Sequence, residues 1–138
     1  MSTIKIQLTQ QAKSSMKFEN DVLPIIIDRP VAKGGGGEGL MGGQYLLTGI
    51  GGCFCSTLFA AAQSRDIEIK GLKIDMAATI SDDLPKRFSA LDMDVSYESC
   101  SDESMFEKLI DIAEKGCLSM NTAKNSMAIQ VKTAQKQS

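Results

Sequence analysis

GIGGCFCSTLF, residues 49–59, sets two glycines directly before a pair of cysteines inside a stretch that reads as a helix. Gly51 and Gly52 each cost a helix interior about 1 kcal/mol relative to alanine. Bare backbone beside Cys53 therefore needs a use. Leu46, Ile50, Cys53, Phe54, Leu58 and Ala61 recur at helical spacing from Gln44 to about Ser64. The run is apolar on nearly all sides, and a helix of that kind is expected to be central and buried.

Ahead of this helix, Ile4, Ile6 and Leu8 alternate with Thr3, Lys5, Gln7 and Thr9, predicting a half-buried strand. Met16 and Phe18 alternate with Lys17 and Glu19 in a second. VLPIIID, residues 22–28, is a β-branched third, with Pro24 pushing it toward an edge or an irregular start. RPVAKGGGGEGLMGG, residues 29–43, has no hydrophobic period and reads as a glycine-rich loop.

Beyond the helix, a strand is expected over Ile69–Ile80, with Ile74, Met76, Ala78 and Ile80 in phase and a bulge at Gly71. DDLPK, 82–86, is the turn. Phe88–Tyr97 returns with Leu91, Met93, Val95 and Tyr97 inward. Ser101 is expected to cap the next helix, with Asp102 and Glu103 at its positive end. Its apolar stripe is Met105, Leu109, Ile112 and Gly116, with Asp111 and Lys115 pairing outside and Cys117 closing it. Met127, Ile129 and Val131 predict a final strand, and TAQKQS, 133–138, a frayed tail. The order β-β-β-α-β-β-α-β predicts one α+β domain over residues 1–138, with antiparallel pairing.

Composition narrows the function. The 138 residues carry a net charge of −2, 5% aromatics and no tryptophan, which gives no case for nucleic acid or an acidic membrane surface. MSTIKIQLTQ lacks the form of a signal peptide, and no run reads as the ~20 residues of a membrane span, so a cytoplasmic protein is expected. There is no histidine, which removes Ser-His and Cys-His hydrolases and every histidine-containing metal site. GEGLMGG, 37–43, matches the spacing of a dinucleotide loop but lies well past Asp28, the end of its strand, and no acidic residue follows at the right distance. No cofactor is expected.

Four cysteines remain: Cys53, Cys55, Cys100 and Cys117. In a reducing compartment they are thiols rather than staples. Positions 53 and 55 differ by about 200° around a helix and cannot chelate one ion, so no metal is expected. Cys55 and Cys100 read as small buried hydrophobes. Cys53 follows bare glycine backbone, and Cys117 follows Gly116 at a helix end. Cysteines on two helices can meet across a core if their Cα atoms come within ~7 Å.

GGQYLLTGIGGCFCSTL (42–58) resembles the cysteine helix of the OsmC/Ohr family of osmotically inducible and organic hydroperoxide resistance proteins, with the pattern P-x-E-L-L-x-A-A-x-x-x-C. IKGLKIDMAATI and FSALDMDVSYES are similar to the hairpin that follows. AEKGCLSMNTAKNSMAIQV is similar to the second-cysteine segment, A-x-x-x-C-P-V-x-x-x-L. The resemblance spans most of the chain. It implies an OsmC-like fold: antiparallel sheets around a central buried helix, in an intertwined homodimer where Gly51 and Gly52 would allow close helix approach and leave room beside Cys53.

The resemblance also implies a thiol peroxidase acting on organic hydroperoxides, with Cys53 as the peroxidatic and Cys117 as the resolving cysteine. An external dithiol, often a lipoylated protein, resets the pair. Arg29 is the match for the family's arginine, which lowers the thiol pKa and holds the peroxide. The sequence departs from the pattern in two places. Gln44 and Gly43 stand where the family has Glu, leaving Asp28 or Glu38 to orient the arginine, and Leu118 stands where it has Pro. A non-catalytic OsmC-like binding or redox-sensing protein is the alternative.

Overall fold

A computed structural model describes residues 3–132. The tail expected at 133–138 lies outside the described residues. The chain divides into two compact units, the described parts of Met1–Gly49 and of Ile50–Ser138.

In the first unit, strands β1 (Leu8–Gln10), β2 (Met16–Phe18) and β3 (Ile25–Ile27) form an antiparallel sheet in the order β1-β2-β3, with Leu8 opposite Phe18 and Met16 opposite Ile27. The first strand is shorter and later than the alternation of residues 3–9 predicts. Its partner stops at Phe18, because Asn20 turns the chain by accepting the N–H groups of Val22 and Leu23 on its side-chain oxygen. Ile4 and Ile6 are left exposed, and no strand among the described residues pairs with them.

The glycine-rich loop is tied down by one carboxylate. Asp28 is buried and accepts from the Ser14 hydroxyl at 2.8 Å and from the N–H groups of Arg29, Gly36 and Glu38 at 2.7, 3.1 and 3.2 Å. Burial opposes its ionisation, but these four bonds outweigh burial and hold its pKa below the usual value. A β-carbon at Gly39 would land on the Ile26 carbonyl, so the loop lies directly on β3 only because that residue has no side chain.

Helix α1 (Gly42–Gln63) begins in the first unit and continues into the second. By length and composition it could cross a bilayer, which the sequence reading missed. Its residues Phe54, Leu58, Ala61 and Ala62 instead belong to a core completed by Ile67, Phe106, Leu109 and Ala113. The expectation of a helix buried all round is corrected: Leu46, Gly49, Gly52 and Phe59 are exposed along it.

Strands β5 (Lys73–Ile80) and β6 (Phe88–Ser96) form the predicted hairpin, with Ile74, Met76 and Ala78 opposite Val95, Met93 and Leu91. At Gly71 the chain is not bulged but broken. Its φ of +66° ends β4 (Ile69–Lys70), which pairs instead with β7 (Ser99–Cys100). The bulge lies between Thr79 and Ile80, and Ile80 is exposed. Ser101 is not a helix cap, since its hydroxyl oxygen accepts the Glu68 N–H at 2.9 Å and so steadies the β4–β7 pair.

Helix α2 (Phe106–Gly116) follows a 3-10 turn at Glu103–Met105 and buries Phe106, Leu109 and Ala113, with Met105 and Ile112 only flanking that stripe. Asp111 and Lys115 pair at 3.6 Å. Helix α3 (Leu118–Lys124) was not expected. The predicted final strand is not formed: Met127, Ile129 and Val131 are 64%, 79% and 91% exposed. Their alternation marks a face that could be buried, but no strand of the described chain pairs with it.

Candidate active site

Two glycines and a helix break place Cys53. A β-carbon at Gly51 would fall 2.6 Å from Met76 Sδ, so this glycine admits the hairpin against α1 rather than another helix. At Gly52 nothing lies within 4 Å of such a carbon, and the helix is open beside Cys53. One turn on, the Thr57 hydroxyl donates to the Cys53 carbonyl at 2.8 Å. Gly116, at the end of α2, sits against Thr57, with a β-carbon there 3.5 Å from its methyl group. The chain then turns at Cys117 (φ −78°, ψ 113°) and starts α3. That turn brings residues 117–119 against Cys53.

The Ser119 hydroxyl is the first influence on the Cys53 thiol, followed by the Ser119 N–H and the Cys117 thiol. Together with the Leu118 N–H they outweigh partial burial and lower its pKa from 9.0 to about 7. Cys117 responds in the opposite direction. Burial first, and then the adjacent Cys53 sulfur, push its pKa up, against the pull of the Met120 and Ser119 N–H groups. Its sulfur accepts the Met120 N–H at 3.4 Å, capping α3. The pair therefore holds one ionisable and one protonated thiol at neutral pH, with all four cysteines free.

Burial pushes the Cys55 thiol up, and the buried Cys100 thiol donates to the Asp102 carbonyl at 3.4 Å. Arg29 belongs to the first unit, exposed, with its guanidinium donating to the Lys33 carbonyl at 3.2 Å. Neither suggested carboxylate holds that guanidinium: Asp28 takes the Arg29 backbone N–H, and Glu38 accepts from the Ser15 hydroxyl. The Gln44 side-chain oxygen accepts the Met41 N–H at 2.9 Å. Among the described residues no group of three or more potential ligands is placed to hold a metal.

Ser119 is the residue that sequence reasoning missed. Its signal would have been a helix starting at 118, but the cap there is a cysteine sulfur, outside the usual Ser, Thr, Asp and Asn set.

The fold has many solved counterparts. A protein from Aquifex aeolicus VF5 superposes with a TM-score of 0.73 at 17% identity, over 91% of this chain and 90% of that one. An OsmC-like protein from Mycoplasma pneumoniae gives 0.70 at 22% identity, over 91% and 89%. An organic hydroperoxide resistance protein OsmC from Legionella pneumophila gives 0.63 at 16% identity, over 90% and 92%. At these identities the likeness is one of fold: an α+β arrangement of antiparallel sheets and helices. No curated protein matches the sequence. The sequence profile of the OsmC-like protein family matches residues 35–132, most of the chain and both Cys53 and Cys117. The chain belongs to the OsmC-like protein family.

Proposed function

We propose that this protein is a thiol-dependent peroxidase that reduces organic hydroperoxides to alcohols. The observation that carries the reading is the Cys53–Cys117 contact, with Cys53 lowered to about 7 and Cys117 raised. The Cys53 thiolate attacks the O–O bond of the hydroperoxide. One oxygen is retained as a sulfenic acid, and the other leaves as the alcohol, taking a proton. The Cys117 thiol then attacks the Cys53 sulfur, water leaves, and a disulfide forms before further oxidation. An external dithiol, of the lipoyl class, returns both thiols by exchange and is itself oxidised to a disulfide. By resemblance to the family, Arg29 is the residue that would hold the peroxide. A homodimer is part of this reading, supported by the uncovered Leu46, Gly49, Gly52 and Phe59 along α1. A reducing, cytoplasmic setting suits four free thiols.

The test is an intact mass after one equivalent of cumene hydroperoxide and again after dithiothreitol. A loss of two hydrogens that reverses is expected. An unchanged mass excludes the peroxidase.

The engagement of Gln44 with Met41 and of Arg29 with Lys33 favours a second reading, an OsmC-like redox sensor. Such a protein forms the disulfide once per peroxide and turns over poorly with excess dithiol, and steady-state kinetics separates the two.

A further inference from the structure

Thr57 links the two helices that carry Cys53 and lead to Cys117. It lies one turn past Cys53 on α1 and is half-buried. Its hydroxyl donates to the Cys53 carbonyl at 2.8 Å, a bond back along its own helix that selects one rotamer of the side chain. The methyl is the part that meets α2. A β-carbon at Gly116 would lie 3.5 Å from it, an ordinary contact distance. Apart from the chain neighbours of Gly116 and the backbone of its own helix, no other atom of the described residues comes within 4 Å of that point. Leu109 and Ala113, on the same stripe of α2 as Gly116, are fully buried in a core they share with Phe54 and Leu58 of α1. The helix is therefore seated along its length, and its last residue bears on one methyl group. Cys117 follows at once and is itself fully buried.

We propose that the Thr57 methyl is a spacer that sets how closely the Cys117 segment approaches Cys53, which makes Thr57 a positioning residue for the disulfide between them. Its use rests on the peroxidase reading, while the contact does not. A disulfide tolerates little error, since its two β-carbons must come within about 3.5–4.5 Å of each other. Gly116 has no side chain with which to set that distance, so the threonine across the contact sets it. Hydroxyl and methyl have separate tasks: the first fixes the rotamer, and the second meets the glycine. Thr57→Ser removes the second and keeps the first.

The experiment measures the cysteine pair without peroxide. The full-length protein is equilibrated in mixtures of reduced and oxidised glutathione, its thiols are trapped with N-ethylmaleimide, and the 53–117 disulfide is quantified as linked peptides by mass spectrometry. Each disulfide formed passes two electrons and the two thiol protons of Cys53 and Cys117 to one glutathione disulfide, which becomes two glutathione thiols. Thr57→Ser is expected to lower this equilibrium constant about tenfold, the scale of a sub-ångström loss of alignment between two held groups. Thr57→Val keeps a methyl and is itself confined to one helical rotamer, so it should stay near wild type. Gly116→Ala placed in Thr57→Ser returns a carbon to the same gap and should restore the constant. The proposal is overturned if Thr57→Ser matches wild type, if Thr57→Val loses as much as Thr57→Ser, or if Gly116→Ala restores nothing. The expected set of constants in a protein whose mass cumene hydroperoxide leaves unchanged would uphold the spacer and remove the peroxidase. A reversible two-hydrogen loss with cumene hydroperoxide, in a protein where Thr57→Ser matches wild type, would do the reverse.

Discussion

Cys53 and Cys117 influence one another unequally: the Cys117 thiol helps to lower the Cys53 pKa, while the Cys53 sulfur helps to raise that of Cys117. Their single mutants should therefore fail differently. Cys53→Ser is expected to abolish turnover. Cys117→Ser should still consume the first equivalent of peroxide and stop at a sulfenic acid that dimedone labels at Cys53, with excess peroxide driving it on to sulfinic acid. If Cys117→Ser turns over with dithiothreitol as fast as wild type and peptide mapping finds no 53–117 disulfide, the two-cysteine chemistry is wrong. The pH dependence has a definite sign. Because the Cys53 pKa lies near 7, below its ordinary 9.0, the peroxide step should rise through pH 7 and level off within about two units above it, where an unperturbed thiol would still be climbing. A rapid-mixing profile with its midpoint near 9 would contradict this. A thiol poised near ambient pH also keeps more intrinsic nucleophilicity than a strongly acidic one. Cys55, held protonated by burial, should be replaceable by alanine within a few-fold of wild-type peroxide consumption. The two cysteines at the site were legible from residue type, spacing and resemblance. Ser119 was not, because a hydroxyl two residues past a cysteine has no pattern of its own until the turn at Cys117 folds it back.

At the scale of elements, the hairpin and both longer helices were legible because each carries enough residues to repeat its period several times. The short pieces were not. Alternation in Ile4-Lys5-Ile6 or Met127-Ala128-Ile129 reports which face would be buried, but it cannot report whether a neighbouring strand exists. Gly71 shows a related limit: a slip in phase reads the same whether the strand bulges or ends, and only the left-handed backbone there decides. The glycines of α1 separate two kinds of close approach. Gly51→Ala must displace the Met76 thioether, a flexible group, so overpacking should exceed the gain in helix propensity by only about 1 kcal/mol in a urea titration. Gly52→Ala meets nothing within 4 Å among the described residues and gains propensity. Its expected effect is instead on assembly, weakening the proposed dimer about tenfold in sedimentation equilibrium. A more stable protein with unchanged association would show that this face of α1 is free.

For the molecule as a whole, the feature that matters most is apolar surface left bare at both ends of the described chain, Ile4, Ile6 and Leu8 at one and Met127, Ile129 and Val131 at the other. Large apolar side chains left exposed together along a segment mark a candidate surface for association. Light scattering at micromolar concentration should find a homodimer, and a folded monomer there would remove that part of the reading. The consequence reaches past shape to mass action. If a second copy covers this surface, folding is bimolecular, and the melting temperature must rise with protein concentration. Dilution then lowers stability and activity together, so the number of copies in a cell would set how much of this protein is folded at all.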